Sequence, residues 1–130
     1  MDYSIITGKL DETLDGLEQA VNAREKEKID LTIETFNELI AARPEALEEI
    51  DFKNYRERFK LLTQRRDILP IMDSALADLR NAERDEVVEG YRHKVNHLLR
   101  KHRWVLGDKM TRHYVSDFGR ILKGYGYIPK

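Results

Sequence analysis

His93, His97, Arg100 and Trp104 stand at i, i+4, i+7 and i+11, the spacing that sets side chains in one row on an α-helix. Two histidines one turn apart are also how a single helix face can hold a zinc ion. A zinc-protease motif needs Glu directly after the first His, and Lys94 occupies that place. A di-iron bundle needs inward Glu-x-x-His pairs, and the chain contains none. Arg92, Lys94 and Arg100 would repel a cation, so the row reads as part of a cationic surface, with no metal and no cofactor expected. His102 falls on the opposite, core side, where a hydrogen-bonded structural imidazole is the expectation.

The same face suits an anion. Arg92, Lys94, Lys101 and Arg103 flank the row, and the following segment turns Arg112, Ser116, Arg120 and Lys123 away from its own apolar side. Lys and Arg hold phosphates, while bases need groups that stack or fork, such as Trp104, Arg100 and Arg112. Gly107-Asp108 forms a short turn between the two segments, so a helix–turn–helix arrangement is available. These residues predict a small non-enzymatic regulatory protein that binds nucleic acid, or an acidic protein surface, through a basic C-terminal helix pair. The alternative is a protein–protein module, an adaptor or inhibitor of phage or mobile-element origin. It would dock through Trp104 and Arg100, with its acidic first half imitating nucleic acid or engaging a basic partner. A homodimer fits either reading, and no small-molecule substrate is expected.

Catalytic signals do not assemble. There is no nucleophile motif, phosphate loop or dinucleotide fingerprint, and Gly124-Tyr125-Gly126-Tyr127 follows a helix instead of opening one. The chain has no cysteine, which excludes disulfides and thiolate metal sites. The opening MDYSIITG shows no signal-peptide pattern, and no apolar run reaches the roughly 20 residues that span a bilayer. A cytoplasmic protein with no membrane partner is the expectation.

Charge is divided along the chain. Residues 1–51 hold fourteen acidic and five basic side chains, a balance of −9, while residues 52–130 hold ten and eighteen, a balance of +8. Residues 92–130 alone hold ten Lys and Arg against Asp108 and Asp117. Such asymmetry favours an anionic partner for the second half. The competing explanation is that acidic and basic helices lie side by side and neutralise one another.

Five or six helices must position these groups. Leu10, Leu14, Leu17 and Val21 mark the first, over residues 9–24; Ile29, Ile33, Phe36 and Ile40 mark a second stripe, out of phase with it. That shift favours two helices joined near residues 23–27, although nothing there would break a continuous one. Arg43-Pro44 stops the second helix, and Pro44-Glu45 can open a new turn. Asp51 is the expected N-cap of a third stripe, Phe52, Tyr55, Phe59, Leu62 and Leu69. Pro70 either kinks that helix or separates it from Ile71, Met72, Leu76 and Leu79. Residues 81–85 read as a loop with Asp85 as a cap; Val88, Tyr91, Val95, Leu98, Leu99, Val105 and Leu106 follow as core, and Gly107 ends that helix. The last helix starts at Asp108 or Thr111, buries Met110, Tyr114, Phe118, Ile121 and Leu122, and stops at Gly124.

The fold class is therefore all-α: a single-domain bundle of five or six helices with no sheet, acidic over 1–51 and basic over 52–130. The segment VSDFGRILKGYGY, through Phe118, Gly119, Arg120, Leu122 and Lys123, resembles the last helix of winged-helix domains in some phage replication proteins. That resemblance covers about a dozen residues, and it implies wing strands for which only the residues up to Lys130 are left.

Overall fold

A computed structural model describes residues 3–42, 49–82 and 85–126. These form four helices, α1 (Tyr3–Asn22), α2 (Lys26–Ala41), α3 (Glu49–Arg80) and α4 (Asp85–Gly124), and no strand occurs among the described residues. The all-α class holds, and the count of five or six helices is corrected to four. The alternative in which Pro70 separates two helices contributed to the excess. Pro70 sits inside α3 without ending it; its missing N–H costs one i→i−4 bond, and flanking turns carry the helix through. At Gly107 the backbone is non-helical (φ 78, ψ 165), so α4 consists of two helical arms that meet there, and the helix end expected at this glycine is present. The turn expected at Pro44-Glu45 and the wing expected after Gly126 lie outside the described residues.

The chain divides into two compact units, Met1–Arg66 and Asp67–Lys130, with the boundary inside α3. In the first, α1 and α2 pack on one another. Ile6, Leu10, Leu14, Leu17 and Val21 are buried as one stripe, with Ala20 beside them. The helix starts at Tyr3, six residues earlier than its first strong leucine repeat suggests, because Ile6 continues that stripe by one turn. α2 contributes buried Ile29 and Phe36.

The join between α1 and α2 forms without glycine or proline. The Glu25 N–H donates to the Ala20 carbonyl at 3.0 Å and the Arg24 N–H to the Val21 carbonyl at 3.1 Å. These are the paired bonds of a Schellman cap, with Arg24 in the left-handed conformation at φ 57.

The first part of α3 is tied to α1 by polar contacts. Arg58 bridges Asp15 at 2.7 Å and Glu18 at 3.2 Å, and Arg65 reaches Glu18 at 3.5 Å and the Asn22 side-chain oxygen at 3.2 Å. Arg65 is 7% exposed, so its pairing with Glu18 and Asn22 is what makes a buried guanidinium tolerable. Burial works against the Arg58 charge, but hydrogen bonds to Asp15 and Glu18 outweigh it and raise its pKa. Asp51 lies within the first turn of α3, which begins at Glu49, so the expectation that it caps the helix is corrected.

In the second unit, α3 supplies Leu69, Met72, Ala75, Leu76 and Leu79, and α4 supplies Val88, Val95, Leu98, Leu99, Leu106, Tyr114 and Phe118. Of the stripe Ile71, Met72, Leu76 and Leu79, the last three are buried and Ile71 is 48% exposed, because adjacent residues point in different directions on a helix and Met72 takes the inward one. The Tyr114 hydroxyl donates to Asp73 at 2.7 Å. The Tyr125 hydroxyl lies 2.8 Å from the carbonyls of Leu79, Arg80 and Ala82, at the end of α3 where carbonyl oxygens run short of helical donors; the Leu79 oxygen also accepts from the Ala82 N–H at 3.3 Å.

Two backbone substitutions should act in opposite directions. Gly107 has φ 78 and ψ 165, a region open essentially to glycine alone. Gly107→Ala should therefore cost about 1–3 kcal/mol in chemical denaturation. Arg24→Gly relieves a left-handed penalty of about 1–2 kcal/mol and should leave stability unchanged or slightly raised. Equal losses from both variants would contradict this account of the two bends.

Candidate functional site

In a straight helix Asn96 and Ser116 would stand about 30 Å apart. Instead they line one groove of about 490 Å³, together with Leu99, Arg100, Arg103, Thr111, Arg112 and Val115. The chain therefore turns back at Gly107, and the arms before and after it form the two walls. Turn spacing does the rest: Asn96, Arg100 and Arg103 follow at i, i+4 and i+7 on one arm, and Arg112 and Ser116 at i and i+4 on the other.

Three guanidinium groups meet in this groove, and all of its charged residues are cations. Arg100 and Arg103 are exposed and form no ion pair among the described residues. Arg112 donates from Nε to the Asp108 carbonyl at 3.4 Å, which holds the side chain along its own helix. The Thr111 hydroxyl oxygen is buried and makes no hydrogen bond among the described residues. Guanidinium forks with nearby hydroxyl and amide groups are suited to the oxygens of phosphates and carboxylates.

The residues singled out from sequence divide into three sets. Arg100, Arg103, Arg112 and Ser116 come together in the groove. Lys94, His97, Lys101, Trp104, Arg120 and Lys123 are exposed on α4 and do not line it. Trp104 is 87% exposed, as its helical phase requires. Arg92 and His93 form the third set, because both face Glu89. Arg92 is bound to its carboxylate at 2.6 Å with a half-buried side chain, and His93 Nε2 lies 3.3 Å from the same oxygen. Glu89 thus competes with any external anion for these two. The expectation of a uniformly available basic face is narrowed to that extent.

Asn96, Thr111 and Val115 were not legible as site residues. The i, i+4, i+7 series through Asn96 carries the signal, but only the fold-back at Gly107 gives it an opposite wall. Among the described residues, no group of three His, Asp or Glu side chains is placed to hold a metal ion. None of their helices is long and apolar enough to cross a membrane.

The His102 imidazole is half-buried on the core side of α4. Burial first, then the charges of Lys101 and His97, lower its pKa from 6.5. The chain matches no protein-family model, no curated protein and no solved structure.

His102 gives a test of this packing. Protonation is easier in the unfolded chain, so its contribution to stability is complete above about pH 6.5 and is lost as pH falls from there through the folded value. A proton NMR titration should place the folded His102 midpoint below that of the urea-unfolded protein. An equal or higher midpoint would remove His102 from the core.

Proposed function

We propose that this protein binds nucleic acid through the second unit, with backbone phosphates held in the Gly107 groove. The supporting observation is the convergence of Arg100, Arg103 and Arg112 on one groove without an acidic partner in its lining. A fold normally offsets close cations with carboxylates or solvates them apart, since like charges repel. Here the helix bend holds three together, which favours a multiply charged anion as the fourth participant. Lys94, Lys101, Arg120 and Lys123 extend the positive surface along both arms, where a polymer of phosphates gains more contacts than a single small anion. Trp104, exposed beside Arg100 and Arg103 in sequence, adds a flat face on which an unpaired base or a sugar edge can rest. In this reading the protein acts by occupying nucleic acid and performs no chemistry on it.

Fluorescence anisotropy with labelled single- and double-stranded oligonucleotides tests the proposal. Binding should appear at low salt and weaken steeply as salt rises, with a log–log slope of about −2 to −3 for three neutralised phosphates. Arg100→Ala with Arg112→Ala should flatten that slope by about 2 and reduce low-salt affinity about thirtyfold, taking about 1 kcal/mol for each charged contact. No binding to either form at low salt would end the proposal. Capture of a protein that survives high salt and is lost with Trp104→Ala would replace it by the docking-module reading.

A further inference from the structure

The first unit carries a groove of a different kind between α2 and α3, with a volume of about 770 Å³. Its apolar part is three aromatic rings with Ile40 beside them. Phe36 and Phe59 stack with ring centres 4.1 Å apart and planes within 10°, and Phe52 contributes a third, half-exposed ring. Arg56 lies over that third ring, its Cζ 5.6 Å from the ring centre. Lys53 and Lys60 stand three residues before and four after Arg56, so all three cations rise on one side of α3 within about 10 Å. Both lysines are exposed and form no ion pair among the described residues. Glu57 is the one carboxylate in the lining, leaving cations in excess.

This is an unusual expenditure of apolar surface for the first unit. The unit is acidic overall, with fifteen acidic and eleven basic side chains over residues 1–66, yet the rim of its aromatic groove is basic. Elsewhere in the unit, arginines of α3 are matched with carboxylates of α1, as Arg58 is with Asp15 and Glu18. Along the groove the matching stops. An apolar floor within the volume range of small-molecule sites, edged by cations on one side, is complementary to a molecule with an apolar body and one anionic end. A purely apolar ligand would leave the cations unused, and a purely ionic one would leave the half-exposed rings of Phe52 and Phe59 wet.

We propose that the α2–α3 groove binds a small anionic amphiphile, an acyl or aromatic body ending in a carboxylate, sulfonate or phosphate. The body lies against Phe52 and Phe59 over Phe36, and the head meets Lys53, Arg56 and Lys60. This site is independent of the nucleic-acid groove and lies wholly within the other unit.

The test uses the full chain and the fluorescence of anilinonaphthalene sulfonate, with decanoate and its neutral counterpart decanol as competitors below their aggregation concentrations. The probe should bind saturably, and decanoate should displace it about tenfold better than decanol, as two or three partly solvated charge contacts allow. Lys53→Ala with Lys60→Ala, both solvent-facing and checked by circular dichroism, should weaken the probe and decanoate about tenfold and leave decanol unchanged. Arg100→Ala with Arg112→Ala should change none of these. Absence of probe binding overturns the proposal. So do equal competition by decanol and decanoate, indifference to the two lysines, or loss of probe binding with the Arg100 and Arg112 variant. An aromatic body is indicated if a naphthalene sulfonate outcompetes decanoate, and an acyl body if the order is reversed; both support the site.

Discussion

The Gly107 backbone is the constraint on which the second unit depends. Residues 85–124 carry apolar stripes before and after this glycine, Val88 to Leu106 on one side and Tyr114 to Phe118 on the other. A straight helix of forty residues would run about 60 Å, and the two stripes could not contribute to one small core. The φ of 78 and ψ of 165 at Gly107 redirect the chain at a conformation that a β-carbon would penalise. The core and the arginine groove are then two consequences of the same fold-back. Apolar faces are buried in the unit, and the outward positions Arg100, Arg103 and Arg112 are left bordering a common space.

Charge separates less sharply between the two units than between the halves of the sequence. Division at residue 51 gives balances of −9 and +8, but the boundary of the first unit at Arg66 brings six further cations to the acidic helices. Over residues 1–66 the balance is −4, and over residues 67–130 it is +3. Part of the apparent asymmetry is thus internal pairing, as the contacts of Arg58 and Arg65 with α1 make plain. The neutralisation explanation therefore describes Arg58 and Arg65, the α3 arginines that meet α1 in the first unit. It does not describe Arg100 and Arg103, which form no ion pair among the described residues.

Helix periodicity made most of the core legible. Leu10, Leu14, Leu17 and Val21, Ile29 and Phe36, and Val95, Leu98, Leu99 and Leu106 are buried where a period of 3.6 residues puts them. The out-of-phase stripes also anticipated the break between α1 and α2, since one straight helix cannot bury both toward the same neighbour. Local rules failed where tertiary contacts override them. Arg24 takes a conformation normally given to glycine because the Schellman bonds and the packed hairpin fix it. Pro70 stays inside α3 because the helix around it is buried at Leu69 and Met72. The Tyr125 hydroxyl bonds some forty-five residues back, and the Phe36–Phe59 stack joins separate helices; no sequence window holds either pair. For the site, the cationic residues were legible one at a time, while the groove depends on a bend whose direction spacing alone does not specify.

The two treatments of arginine within this one chain carry the functional argument furthest. Arg65 is nearly inaccessible and reaches both the Glu18 carboxylate and the Asn22 amide oxygen. This is how a protein meets the cost of removing a guanidinium from water. Arg100 and Arg103 stay hydrated, carry no such partner, and are held toward Arg112 by the Gly107 bend. Stability alone would favour a glutamate on the facing wall, where Val115 and Ser116 stand instead. Exposed Trp104 belongs to the same pattern, because the only tryptophan in the chain is usually among the most profitable residues to bury. A surface that forgoes both the available ion pairs and the available burial is the feature on which the proposed anionic partner rests, since guanidinium forks are complementary to phosphate and carboxylate oxygens.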